Sequence, residues 1–286
     1  MSRWVLCFLA ALIQVIASAQ PLPVGPGRFT FADAEPLTVY TYKPAAFNDG
    51  PLFVVFHGVN RDAEHYRDLA IGLAERFRAL VIAPEFDAAR FPSERYQRGG
   101  LLHQGQAQPR EHWTYASVQR LVAQVRAREG QPDRPYLLIG HSAGGQFLTR
   151  LAAFLPGEAR RIVAANPGSQ LFPTRDLPFG YGFGQLPPEL SGDDVLRVYL
   201  AAPLTLYLGM DDTEADADFD TRPSAMAQGA SRLARGRACF ERARQLAVEK
   251  HWPFHWRKVE VTGVGHSAAR MFDAREIEAA LAEGPL

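Results

Sequence analysis

The pentapeptide GHSAG at positions 140–144 constrains this chain more than any other segment. It lies between an apolar run typical of a buried strand, residues 136–139, and an apolar helical stretch, residues 144–155. A G-x-S-x-G sequence in this context predicts a very tight strand-to-helix turn that presents the serine hydroxyl. Glycines two residues before and after the serine leave room for the backbone in such a turn. We therefore predict that Ser142 is a nucleophile.

Short apolar runs alternate with amphipathic helical stretches along most of the chain. The predicted strands are residues 37–43, 52–56, 79–83, 136–139, 162–165, 204–208 and 256–261. Helical spacing of apolar residues predicts helices around residues 66–77, 118–125, 144–155, 224–250 and 268–282. This alternation predicts an α/β fold with a mostly parallel central sheet and helices on both faces.

Composition limits the partners of such a domain. The chain has 286 residues, 47% of them hydrophobic, which is enough for one large core. Lysine plus arginine number 31 and aspartate plus glutamate also number 31, so no net charge favours nucleic acid or an anionic membrane surface. We therefore predict neither kind of partner.

The first residues have the pattern of a secretory signal peptide, residues 1–19. Arg3 precedes an apolar run, residues 4–16, and the small residues 17–19 follow it as a cleavage site. A membrane anchor is the alternative, but the run is short for a span, which needs roughly 18 apolar residues. We predict export of residues 20–286, as one domain, to the periplasm or the medium. Cleavage would leave Cys239 as the one cysteine, so no internal disulfide is predicted.

A serine hydroxyl needs a base, and His266 is the predicted one. It follows the last predicted strand within the segment GVGHS, which places it at the carboxyl edge of the sheet with Ser142. The acid that orients the histidine is expected after strand 204–208, where Asp211 and Asp212 stand side by side. Either carboxylate can accept the histidine ring N–H.

The segment HGVN at positions 57–60 follows the strand 52–56. In folds of this kind, a loop at that position and the residue after the nucleophile each donate a backbone N–H to the oxyanion. The donors predicted here are Val59 and Ala143.

No metal or cofactor is predicted. His251 and His255 have a spacing seen in metal sites on helices, but Pro253 between them disfavours a helix. The acidic run 216–220 lacks a calcium loop's glycine, since Thr221 stands in its place, and a solvated acidic loop is the preferred interpretation.

The chain resembles secreted bacterial α/β-hydrolases of the polyhydroxybutyrate-depolymerase-like and feruloyl-esterase-like esterase group. The resemblance implies an ester hydrolase with a Ser-His-Asp triad. In many such enzymes the acid is the third residue after a strand-closing glycine, which from Gly209 is Asp212. The matching segments are FHG at 56–58, GHSAGGQF at 140–147, ANPG at 165–168 and GVGH at 263–266.

We therefore predict a serine hydrolase that cleaves small or oligomeric carboxylic esters. A peptidase or amidase on the same triad is the alternative, because ester and amide hydrolysis can use the same serine nucleophile on the same turn. A non-catalytic binding protein would be marked by loss of a triad member, and none is lost. Aromatic residues within 172–183, with Trp113 and Tyr96 as neighbours, either form an acyl pocket or pack their loop down.

Overall fold

The predicted α/β architecture is confirmed by a computed structural model that describes residues 20–283. Within this range the strands are, in chain order, β1 (Gly25–Phe31), β2 (Leu37–Lys43), β3 (Leu52–Phe56), β4 (Leu80–Pro84), β5 (Leu102–His103), β6 (Gln106–Ala107), β7 (Tyr136–His141), β8 (Arg161–Ala165), β9 (Leu204–Gly209) and β10 (Arg257–Val261). The helices are α1 (Ala63–Leu69), α2 (Ile71–Phe77), α3 (Thr114–Arg128), α4 (Ala143–Phe154), α5 (Pro188–Ser191), α6 (Asp193–Ala201), α7 (Pro223–Met226), α8 (Arg232–Lys250), α9 (Ala268–Asp273) and α10 (Ile277–Leu281), with a 3₁₀ turn at Arg110–His112.

The main sheet has the strand order β1-β2-β4-β3-β7-β8-β9-β10. Strands β4, β3, β7, β8, β9 and β10 run parallel, whereas β1 and β2 are antiparallel to their neighbours; β5 and β6 form a separate antiparallel pair. Since parallel strands end at the same edge, the loops after β3, β7, β8, β9 and β10 all emerge there. This edge therefore collects the segments that the sequence marks as functional.

Both faces of the sheet are buried. In β3, Leu52, Val54 and Phe56 contribute to one hydrophobic cluster, and Phe53 and Val55 contribute to another on the opposite face. Helices α3, α4, α6 and α8 cover the first face, and α1, α2, α9 and α10 cover the second. Burial on both faces explains why the parallel strands are continuous apolar runs instead of alternating ones.

Several elements differ from the sequence prediction, among them β5, β6, α5 and α6, where no strand or helix was predicted. No strand was predicted before residue 37, yet β1 pairs with β2 along its full length. The predicted helix 224–250 is divided into α7 and α8 around Gly229, whose φ of 151° is incompatible with a helix. The predicted helix 268–282 is divided at Ala274, whose ψ of 145° is extended. This break lets α9 pack on α1 and α2 while α10 packs on β8, β9 and β10.

The predicted signal peptide, residues 1–19, lies outside the described residues. Among residues 20–283, no helix combines the length and the apolar character that crossing a membrane requires. Export stays a prediction from the sequence.

Candidate active site

Ser142 lies on the sharp turn between β7 and α4. Its φ of 56° and ψ of −114° fall in a sparsely populated region, which costs a non-glycine residue about 1–3 kcal/mol. The turn is held because the Ser142 N–H donates to the Ala165 carbonyl at 2.9 Å and the Gln146 N–H donates to the Ser142 carbonyl at 2.9 Å. The surrounding backbone thus stabilises a conformation that exposes the Ser142 hydroxyl.

The two glycines of the pentapeptide permit this turn in different ways. A Cβ atom on Gly140 would lie 2.6 Å from the Gly144 backbone, so the two arms of the turn approach too closely for a side chain. A Cβ atom on Gly144 would lie 2.3 Å from the carbonyl oxygen of Phe56, at the end of β3. The first constraint was expected from the motif, and the second arises only from the neighbouring strand.

Ser142, His266 and Asp212 are connected by hydrogen bonds. The His266 Nε2 atom lies 3.1 Å from the Ser142 Oγ atom, and His266 Nδ1 lies 2.8 Å from Asp212 Oδ2. The Asp212 side chain is 2% exposed and the His266 side chain 19%. With Nδ1–H donating to the carboxylate, Nε2 is free to accept the serine proton. The structure therefore brings together the three side chains that the sequence singles out.

Asp211 does not contact His266, although it precedes Asp212 directly. Its side chain is exposed, while its backbone N–H donates to the Val264 carbonyl at 3.0 Å. The Asp212 N–H donates to the Gly209 carbonyl at 3.2 Å, which closes a turn that directs the second aspartate inward. Gly209 is required because a Cβ atom there would lie 2.3 Å from the Val264 oxygen.

The beginning of α8 packs against Asp212, and sequence reasoning missed this contact. The Leu233 N–H donates to the Asp212 carbonyl at 3.2 Å, and the Arg232 guanidinium lies 3.5 Å from its carboxylate. The predicted helix 224–250 placed Arg232 in the middle of a helix, where no contact with the β9 loop was expected. Ser231, which accepts from the Ala234 N–H as an N-cap, was the signal that could have located the helix start.

Asn166, in the loop after β8, joins the two loops that carry Asp212 and His266. Its Oδ1 accepts the Gly209 N–H at 2.7 Å, and its Nδ2 donates to the Gly265 carbonyl at 3.0 Å. Asn166 is 1% exposed and adopts a φ of 41°, a region that asparagine tolerates better than most residues. It belongs to the ANPG segment, to which sequence reasoning assigned no role.

Asn166→Asp tests this connection. The aspartate keeps the acceptor for the Gly209 N–H but turns an oxygen toward the Gly265 carbonyl, so the His266 loop is displaced. We expect kcat to fall about 10- to 100-fold, since small misplacements of reacting groups are costly. The measurement is kcat on one ester together with a thermal melt. Asn48→Asp, at an exposed position, is the matched control. Wild-type kcat in the folded Asn166→Asp variant would contradict this role.

His57, at the end of β3, stabilises the loop that follows it. The ring is fully buried, its Nε2 accepts the Phe86 N–H at 3.0 Å, and its Nδ1 lies 3.0 Å from the Gly58 carbonyl. Burial lowers the pKa of His57 to about 4, so the ring is neutral at pH 7 with its proton on Nδ1. His57 therefore fixes the shape of the loop and does not exchange protons there.

The predicted oxyanion donors, Val59 and Ala143, lie in the loops after β3 and β7. Neither backbone N–H donates to another residue in the described part of the chain. Val59 is 40% exposed, whereas Ala143 begins α4 and is buried. An N–H at the first turn of a helix has no partner within that helix, and it is available to an anion.

His141 and Tyr66 connect the turn at Ser142 with the loop after β3. Tyr66 Oη lies 3.2 Å from His141 Nδ1, and a Cβ atom on Gly58 would lie 2.7 Å from the same hydroxyl. Burial, followed by the neighbouring His266, holds the pKa of His141 well below its usual range. Burial also raises the pKa of Tyr66 to about 12. Both groups are neutral at pH 7, and the ring of His141 packs 4.6 Å from that of His266.

The aromatic stretch 172–183 packs its loop onto the helices. Phe179 and Phe183 contact Phe154, with ring centroids 5.8 and 5.5 Å apart, at the end of α4 opposite to Ser142. The 12 residues of α4 place that end about 18 Å from the serine. Trp113 lines a cavity of about 380 Å³ together with Phe154, at the same distant end. These contacts favour packing over an acyl pocket.

The acidic run 216–220 is only partly solvated. Asp220 accepts from the Tyr181 hydroxyl at 2.7 Å and from Arg222, and Asp216 pairs with Arg232. The Arg222 and Tyr181 hydrogen bonds outweigh burial and lower the pKa of Asp220 to about 2. Asp218 is exposed. Two carboxylates of this run thus have specific protein partners.

Two solved structures are similar to this chain over most of its length. No protein-family profile matches the chain, and neither does any curated protein. Poly(aspartic acid) hydrolase-1 from Sphingomonas sp. KT-1 superposes with a TM-score of 0.84 and 34% identity, covering 90% of this chain and 98% of that one. The LpqC poly(3-hydroxybutyrate) depolymerase from Bordetella parapertussis gives 0.83 and 34%, covering 90% of each chain.

The chain belongs to the α/β-hydrolase family. Its resemblance to the depolymerase-like members, predicted from short segments, is confirmed across most of its length. The S-formylglutathione hydrolase from Agrobacterium tumefaciens shares only the fold, with 16% identity and a TM-score of 0.51. The protein is thus a hydrolase.

Proposed function

We propose that this hydrolase cleaves carboxylic esters through Ser142, His266 and Asp212. The observation that carries the proposal is the hydrogen-bonded series from Ser142 Oγ to His266 Nε2 (3.1 Å) and from His266 Nδ1 to Asp212 Oδ2 (2.8 Å). The strained turn at Ser142 supports it, because a strand-to-helix turn of this kind presents the serine hydroxyl for attack.

In the proposed reaction, Ser142 Oγ attacks the ester carbonyl carbon while His266 Nε2 takes the hydroxyl proton. The tetrahedral oxyanion accepts from the Val59 and Ala143 N–H groups, each worth about 3 kcal/mol in the transition state. Asp212 stabilises the imidazolium that forms. The C–O bond to the alcohol then breaks, and the His266 proton passes to the leaving oxygen. Water then attacks the acyl carbon while His266 takes its proton, the acyl bond to Ser142 Oγ breaks, and the His266 proton returns to Ser142 as the carboxylic acid leaves.

Amide hydrolysis is a second candidate, and the relatives themselves suggest it. One relative is called a poly(aspartic acid) hydrolase, whose polymer is joined by amide bonds, and the other a poly(3-hydroxybutyrate) depolymerase, whose polymer is joined by ester bonds. The same three side chains can serve both reactions, because the leaving group receives its proton from the same imidazolium.

A matched substrate panel distinguishes the two candidates. We expect kcat/KM for p-nitrophenyl esters of short or medium acyl chains to exceed that for p-nitroanilides with the same acyl groups. The ester series reports the preferred acyl length, and poly(aspartic acid) and 3-hydroxybutyrate oligomers report whether polymers are cleaved. Turnover of anilides or poly(aspartic acid) without turnover of any ester would replace the ester proposal with the amide one.

A further inference from the structure

Arg232, the first residue of α8, lies between two carboxylates. Its Nη1 is 3.5 Å from Asp212 Oδ1 and 2.9 Å from Asp216 Oδ2, and its Nη2 is 2.6 Å from Asp216 Oδ1. The Arg232 and Asp212 side chains are each 2% exposed, whereas Asp216 is 46% exposed. A series of contacts therefore connects His266 with Asp212, Asp212 with Arg232, and Arg232 with Asp216, whose side chain is partly exposed to solvent.

The distances indicate how the arginine charge is divided. A buried carboxylate is costly unless it is paired, and Asp212 has His266 on one oxygen and Arg232 near the other. Arg232 makes two short contacts with Asp216 but only one long contact with Asp212. Asp216 thus neutralises most of the guanidinium, and the Asp212 charge stays available to an imidazolium.

The Arg232 guanidinium is also fixed from other directions. It lies 5.3 Å from the centroid of the Phe219 ring, and the Leu233 N–H holds the Asp212 backbone next to it. Its position at the start of α8, after the Ser231 cap, aligns it with the turn formed by Gly209 and Asp212. The side chain therefore has little freedom to leave the two carboxylates.

We propose that Arg232 is a positioning residue, which orients Asp212 toward His266 while Asp216 restrains it from pairing more tightly with Asp212. This inference rests on the proposed roles of Ser142, His266 and Asp212. It predicts that charge at Asp216, which does not contact His266 or Ser142, alters the pH dependence of turnover. The titratable or charged groups around His266 that enter this prediction are Asp212, Arg232, Asp216, His141 and Tyr66.

The test compares the acid limb of the pH profile, where activity rises as the histidine base loses its proton. Arg232→Gln removes a positive charge, which favours the imidazolium, so we expect the acid limb to move about half a pH unit to higher pH. It also frees the carboxylate, and kcat should fall about 10- to 100-fold. Asp216→Asn removes a negative charge, so its acid limb should move to lower pH. Arg232→Lys keeps the charge and should retain the wild-type profile with a lower kcat.

Two readouts are used, kcat/KM on a chromogenic ester and the rate at which a fluorophosphonate labels Ser142, each between about pH 5 and 8. Arg237→Gln, which removes a half-buried arginine of the same helix paired with Glu260, is the control and should leave the profile unchanged. Thermal melts report folding, and if Arg232→Gln does not fold, Arg232→Lys and Asp216→Asn decide the outcome.

Opposite movements for Arg232→Gln and Asp216→Asn support the inference. Unchanged profiles, or movement of both in the same direction, overturn it. If the wild-type protein is labelled at Ser142 but hydrolyses no ester, the ester proposal fails, and the labelling rates still decide the role of Arg232.

Discussion

Alanine at position 142 is expected to lower kcat roughly 10³- to 10⁶-fold, the largest effect of any single change considered for this hydrolase. The nucleophile and its base act as a unit, so removing the hydroxyl removes the covalent route entirely. What remains is the contribution of substrate binding and of the backbone N–H groups at Val59 and Ala143. The measurement is kcat on the preferred ester of the panel.

The same variant separates loss of chemistry from loss of folding. Ser142 has strained backbone angles, and the conformational cost of these angles is similar for alanine and serine. The melting temperature should therefore stay close to that of the wild type. A serine-directed fluorophosphonate should label the wild-type protein and the exposed-site control Ser93→Ala, but not Ser142→Ala. Full activity in the alanine variant would refute the serine mechanism, and a wild-type protein that neither reacts nor hydrolyses would revive the non-catalytic alternative.

Asp212→Asn is expected to have the next largest effect, a loss of order 10⁴ in kcat, as for the best-studied triad. An asparagine can still approach His266 Nδ1, but it carries no charge to stabilise the imidazolium and does not fix the tautomer. The change also leaves Arg232 with Asp216 as its single carboxylate partner, because no other described carboxylate lies within ion-pair distance of it.

Asp211→Asn is the matched control for this change. Its side chain is exposed, and the hydrogen bond that it contributes to the loop comes from its backbone, which asparagine retains. We therefore expect nearly wild-type kcat. Both variants need thermal melts on the same protein preparations. If Asp211→Asn is the more damaging change, the acid has been assigned to the wrong residue, although the hydrolase fold and family are unaffected.

Much of the fold and the location of the site were predictable from local patterns. Continuous apolar runs of four to six residues are typical of strands buried on both faces, and a parallel sheet brings the carboxyl ends of such strands to one edge. That rule alone placed Ser142, His266 and the Asp211–Asp212 pair close together. The missed features include β1, which depends on its pairing with β2, the helices α5 and α6, and the breaks at Gly229 and Ala274.

Local sequence patterns therefore specify the α/β class, the strained turn at Ser142 and the loop that carries His266. Spacing alone leaves Asp211 and Asp212 open, because neighbouring residues on a loop differ only in how that loop turns, and in the folded chain Asp212 is the one that faces His266. The contacts of Arg232 and Asn166 also depend on the folded chain, since they join residues 16 to 99 positions apart in the sequence. A hydrogen bond between such distant segments depends on where the whole sheet places its loop ends, and no local spacing encodes that position.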